Sequence, residues 1–240
     1  MYNKSIRKLI TVGKVGKSMF KRLMTFCLVV ILGCFAVTAQ ATDRWKWYYS
    51  SDYYGHYYDT QTVQYQASAK GATVWTKLVK ADGTLVGETR RFLDFGHKLS
   101  ATVEEVTYYN GYPRRYRPSK LYPSFVVPDS PEETLTRLVA DQLHISPMFT
   151  GGEDRWKWVH ATDRWSLYVA KDTLTNMNKP NIYFIWAKRV YLNGGVSKFL
   201  YICDTARNVI GTRSSGWNSP LPDSDEEAIL NAVKAMNVGA

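Results

Sequence analysis

Apolar and polar side chains alternate with a period of two over much of the chain. Trp45, Trp47 and Tyr49 occupy every second position. In residues 72–80 the same period puts Thr73, Trp75, Lys77 and Val79 on one face and Val74, Thr76 and Leu78 on the other, which is the signature of a half-buried strand. Asp82-Gly83 supplies a turn, and residues 84–95 read as the returning strand. Residues 98–109 and 112–127 follow, joined at Asn110-Gly111, the strongest short hairpin signal a sequence offers. Prolines at 113, 118 and 123 make the last segment an edge strand or extended loop.

The period then changes from two to 3.6. Ser130-Pro131-Glu132-Glu133 places serine at an N-cap, proline at the first helical position and glutamate at the third, which predicts a capped helix. Leu135, Leu138, Val139 and Leu143 give that helix one apolar stripe. Residues 222–227 repeat the start, and Ile229, Val233 and Met236 repeat the stripe.

These elements occur twice. Asp43-Arg44-Trp45-Lys46-Trp47 returns unchanged as Asp154-Arg155-Trp156-Lys157-Trp158, 111 residues later. The same displacement pairs Asp52 with Asp163, Tyr57 with Tyr168, Thr62 with Thr173, Trp75 with Trp186, Lys77 with Lys188 and Val79 with Val190. That makes 11 identities in 37 positions, where roughly two are expected by chance. A period above a hundred residues is the size of a small domain, not of a solenoid unit. The sequence therefore predicts an α+β fold of two tandem similar modules, each an antiparallel sheet packed against a C-terminal helix. They cover residues 42–143 and 154–240, with a Pro/Gly linker at 144–153 that allows either hinging or fixed docking. At the helix caps the displacement falls to 94 residues, so the second copy is 17 residues shorter. The loss falls mainly opposite the stretch from Tyr108 to Tyr122.

Residues 1–41 change how composition is read. Lys21-Arg22, the apolar run from Phe26 to Val37 and Ala39-Gln40-Ala41 form the charged, apolar and small-residue regions of a secretory signal. At 12 residues the apolar run is too short to span a membrane, which takes about 20. Export with cleavage after Ala41 is expected, with translation starting at Met1 or Met19. Lipidation at Cys34 is the less favoured alternative, because apolar Phe35-Ala36-Val37 follows where a polar tether belongs. No transmembrane segment is expected in the mature chain.

The signal also carries seven of the basic residues and no acid, leaving 24 basic against 21 acidic residues in the mature chain. Whole-chain basicity is thus mostly a property of the signal, and a nucleic-acid partner loses its support. Cys203 is the only cysteine left after cleavage. No intrachain disulfide is possible, and Cys203 reads as a buried strand residue.

The modules resemble the surface-adhesin protein E family of bacterial envelope proteins. The features that carry the resemblance are the tryptophan-led first strand (Trp45, Trp47), Tyr58-Asp59-Thr60 before a turn, the Trp-x-Lys strand (Trp75 and Lys77; Trp186 and Lys188), and the Pro-x-Ser helix start (Pro128, Ser130; Pro222, Ser224). The second copy departs from the pattern, with Ala170 where the first has Asp59. The resemblance implies an antiparallel sheet with that helix and attachment to host or matrix proteins. It carries over no functional residue.

Binding chemistry concentrates in one stretch. Tyr108, Tyr109, Tyr112, Arg114, Arg115, Tyr116, Arg117 and Lys120 lie in and beyond the hairpin, and tyrosine and arginine most often carry binding energy at protein surfaces. A protein or an acidic polysaccharide at the cell surface is the expected partner, and the alternative is a solvated edge kept soluble by its charges. The repeated tryptophans read as core, because module-equivalent spacing on strands is a packing signal. Replacement of His56 by Leu167 marks a semi-buried site rather than a metal ligand.

No catalytic residue, metal site or cofactor is predicted. The sequence lacks G-x-S-x-G, H-E-x-x-H and a phosphate loop, and Glu104 and Glu105, as strand neighbours, face apart. The alternatives to a surface binding protein are an envelope enzyme or chaperone with a site between the modules, and a purely structural envelope protein.

Overall fold

A computed structural model describes residues 44–146 and 149–237. The signal region, the Ala41 cleavage site, Cys34 and the candidate start at Met19 lie outside the described residues, as do Asp43 and Pro147. Two antiparallel sheets and two α-helices make up the architecture.

The first sheet contains β1 (Trp45–Ser51), β2 (Tyr54–Asp59), β3 (Gln64–Gln66), β4 (Gly71–Lys80), β5 (Leu85–Asp94), β6 (Leu99–Tyr109), β7 (Tyr112–Tyr116) and β8 (Ser124–Phe125). Its main path is β1-β2-β4-β5-β6-β7, with β3 on β4 and β8 on β6. The second contains β9 (Trp156–Ala161), β10 (Trp165–Ala170), β11 (Thr175–Asn176), β12 (Ile182–Tyr191), β13 (Val196–Asp204), β14 (Val209–Thr212) and β15 (Gly216–Asn218). Its path, β9-β10-β12-β13-β14-β15, repeats the order of the first. Helices α1 (Pro131–Gln142) and α2 (Asp225–Asn237) follow β8 and β15.

The sequence repeats become repeated hydrogen bonds. The Thr62 hydroxyl donates to the Asp59 carbonyl and accepts from the Trp75 amide, at 3.0 and 3.1 Å. One copy later, Thr173 donates to the Ala170 carbonyl and accepts from the Trp186 amide, at 2.7 and 3.0 Å. Each threonine ties a 3-10 turn to the neighbouring strand, which accounts for its retention beside the tryptophan. Both helices are capped alike. Ser130 Oγ accepts from the Glu133 amide and Ser224 Oγ from the Glu227 amide. The glutamates then reach one residue further back than in a standard capping box: Glu133 accepts from the Asp129 amide and Glu227 from the Asp223 amide.

Two apolar clusters follow. Leu135, Val139 and Ala140 of α1 cluster with Ala72, Val74, Leu93, Phe95, Tyr48 and Tyr58. Ile229, Leu230, Ala232 and Val233 of α2 cluster with Leu167, Val169, Ile185, Ala187, Tyr201, Cys203 and Ile210. Burial in that second cluster pushes the Cys203 thiol up to about 12, so it stays protonated and unreactive at neutral pH.

One expectation is overturned here. Val74 and Ala72 point into the first cluster, and a strand turns alternate side chains to opposite faces. Trp75 and Lys77 therefore lie on the outer face, away from it. Ile185 and Ala187 do the same to Trp186 and Lys188. Trp47 is 59% exposed and Trp158 is 57% exposed. The repeated tryptophans do not build the helix-packed core; they line the outer face of each sheet.

Candidate functional site

The hairpin forms as its Asn-Gly sequence requires. Asn110 and Gly111 take φ of 50° and 80°, the paired left-handed conformation of a type I′ turn. β7 is the edge strand of its sheet, and all five of its residues are exposed. Tyr112 is 77% exposed.

Register divides the candidate residues between two faces. Tyr109 pairs with Tyr112, Thr107 with Arg114 and Glu105 with Tyr116, and directly opposed residues share a face. Tyr109, Tyr112, Arg114 and Tyr116 thus form one surface, and the Arg114 guanidinium lies 5.0 Å from the centre of the Tyr109 ring. Tyr108 pairs with Pro113 and Val106 with Arg115, so Tyr108 and Arg115 belong to the opposite surface. Tyr108 donates to Glu88 there at 3.4 Å. Lys120 is exposed in the loop between β7 and β8. The stretch is not a single patch, because a strand of period two cannot present neighbouring side chains together.

Two of the three arginines are already engaged. Arg115 and Arg117 each approach a separate oxygen of Glu104 at 3.0 Å. Glu104 is buried while Glu105 is exposed, so the two do face apart. A buried carboxylate needs compensating charge, and these guanidiniums supply it across the sheet edge. Changing both to alanine is expected to destabilise the protein by about 2 kcal/mol at pH 7, below the cost of breaking a fully buried pair because both arginines are largely solvated. Urea melts of the double variant and the wild type at pH 7 test this.

The tyrosine surface continues into a pocket of about 310 Å³ lined by Arg91, Ser100, Thr102, Glu105, Tyr116 and Tyr122. Its polar walls and exposed rings suit a ligand that both stacks and hydrogen-bonds.

A second group of residues, which sequence reasoning missed, lies where the two sheets meet. The Arg155 side chain is 1% exposed. Its guanidinium donates to Glu133 at 2.7 Å, to Asp129 at 3.2 Å, and to both oxygens of Asp172 at 3.0 and 2.9 Å. Burial opposes its charge, but its hydrogen bonds to Glu133 and Asp172 leave its pKa above the ordinary value. Lys198 donates to the Pro128 carbonyl at 2.6 Å and to Asp129 at 3.0 Å. Lys98 donates to the Asp172 and Leu174 carbonyls at 2.5 and 3.1 Å. Just before β9, Phe149 is buried, and the Thr150 and Gly151 amides donate to Asp172. Nothing in the sequence distinguishes Arg155 from its repeat partner Arg44, so the cluster carried no local signal.

Beside this cluster, Phe125 of the first sheet stacks on Phe184 of the second with ring centres 4.8 Å apart. They open onto a second pocket, of about 670 Å³, also lined by Val127, Trp186, Leu200 and Ile202.

His56 packs edge-on against Tyr48 and Tyr49, and burial lowers its pKa. Asp59 is fully buried and caps a 3-10 turn by accepting from the Gln61 amide, so it shapes the fold. No helix among the described residues is long and apolar enough to cross a membrane. No protein-family model matches the chain, and no curated protein matches it.

Proposed function

We propose that the protein is an exported binding protein of the bacterial envelope or surface, built of two modules that each combine a sheet with the helix following it. The first module makes the contact and the second is its scaffold. The observation that carries this reading is the exposed surface of Tyr109, Tyr112, Arg114 and Tyr116 on an edge hairpin, continuous with the pocket of Tyr122. The second copy has only the short β14 and β15 in the equivalent place. The signal-like N-terminus and the resemblance to surface-adhesin protein E support export and attachment.

The partner that fits best is a protein of the host or matrix, met chiefly by rings. With Arg115 and Arg117 committed to Glu104, one arginine of the three remains for the contact surface, which weakens the case for an acidic polysaccharide held by charge.

Surface-immobilised matrix proteins and acidic polysaccharides, probed with the purified protein, test the reading. Changing Tyr109, Tyr112 and Tyr116 to serine is expected to weaken attachment at least tenfold with little loss of stability, because these rings are solvated. Unchanged attachment would overturn the assignment. Attachment lost instead by raising salt from 50 to 300 mM would favour the polysaccharide.

A further inference from the structure

Part of the outer face of the second sheet is apolar where a solvated face should be polar. Phe184 and Trp186 of β12 pair directly with Ile202 and Leu200 of β13. All four stand on the face opposite the α2 cluster, whose members Ile185, Ala187, Tyr201 and Cys203 alternate with them. This part of the sheet is therefore apolar on both faces. The first module covers only some of it, through Phe125 of β8 and Val127 beyond that strand. What remains is the pocket of about 670 Å³, within the range of roughly 300–1,000 Å³ typical of small-molecule sites.

Part of the pocket lining is polar: Thr212 at the end of β14, with Arg213 and Ser214 beyond it. Arg213 is exposed and forms no ion pair among the described residues, unlike the other cation at the pocket, Lys198, which is held by Asp129 and the Pro128 carbonyl. The lining thus combines an apolar surface with one positive charge that has no ion pair among the described residues and is flanked by two hydroxyls.

We propose that this pocket binds a single-chain amphiphile with a carboxylate head. The alkyl chain lies along Phe184, Trp186, Leu200 and Ile202, and the carboxylate meets Arg213 as a charge-assisted, bidentate pair. A cationic head of equal chain length would leave its charge beside Arg213 and be rejected. The site is separate from the hairpin tyrosines, so its fate does not depend on theirs.

Calorimetric titration of the purified protein with dodecanoate, below its micelle concentration, tests the proposal beside dodecyltrimethylammonium. The expected result is one dodecanoate per chain, bound at least tenfold tighter than the cation. Arg213→Gln should weaken dodecanoate about tenfold and leave the cation unaffected. Leu200→Gln should weaken both. If that variant fails to fold, quenching of tryptophan fluorescence by 12-bromododecanoate, reduced in Trp186→Phe, locates the chain instead. Absence of binding, many equivalents per chain, or equal affinity in Arg213→Gln would each overturn the proposal.

Discussion

Replacing Arg155 by alanine should cost about 3–5 kcal/mol at pH 7, the penalty expected when a buried charge cluster loses its central partner. Glu133 and Asp172 have side chains 4% and 7% exposed, and without the guanidinium their charges face each other with little water to screen them. Urea denaturation measures the loss. The pH dependence supplies the sign. Burial alone would raise the Asp129 carboxyl, but Lys198 and Arg155 outweigh it and hold its pKa below the usual range. Stability from that carboxyl is present above its unfolded pKa and is lost as pH falls through the lower folded value. The gap between wild type and Arg155→Ala should accordingly close in acid. A gap that persists unchanged at pH 3 would show that Arg155 acts by packing and not by charge.

At alkaline pH, Lys98 should give a further rise of stability with pH. Burial pushes its ammonium down from 10.5 to about 8, with Arg155 adding to the fall and Asp172 opposing it. Between those two values the unfolded chain binds the proton that the folded chain has released, so stability rises with pH. A shift of this size corresponds to about 3 kcal/mol between neutral and strongly alkaline conditions. Cys203 and Tyr48, whose buried acids are pushed up to about 12, ionise more readily when unfolded and counteract the rise above pH 9. The clean measurement is therefore the difference between wild type and Lys98→Met from pH 7 to 10. That difference should shift by about 3 kcal/mol in favour of wild type. A flat difference would mean that Lys98 titrates as a solvated lysine.

Much of the fold was legible because it rests on local rules. Asn110-Gly111 dictated a turn, Ser130 and Ser224 dictated helix starts, and Thr62 and Thr173 marked repeated turns that the structure realises as equivalent hydrogen bonds. The tryptophans misled for a physical reason. Period two shows that Trp75 and Trp186 share a face with Lys77 and Lys188, but not which face receives the helix. Large rings suggested the core, yet the smaller Val74 and Ala72, and Ile185 and Ala187, turned out to occupy it. In the candidate site, the residue types of the hairpin were legible. Their division between two faces required the register set by Tyr109 and Tyr112. The partnership of Arg115 and Arg117 with Glu104 could not be read, because it joins residues across strands rather than along one.

The joint between the sheets is made largely of repeated parts. Arg155 has its counterpart in Arg44, and Glu133 and Asp129 have theirs in Glu227 and Asp223, so the duplicated unit carries the donor and two of its acceptors, whereas Asp172, aligned with Gln61, belongs to the second copy alone. At α2 the acceptors persist in the same cap geometry, and among the described residues no arginine engages them. Such an arrangement works as a coupling with a plug and a socket on every unit. The contact that locks these two copies together is thus of a head-to-tail kind, whose chemistry repeats wherever the unit does.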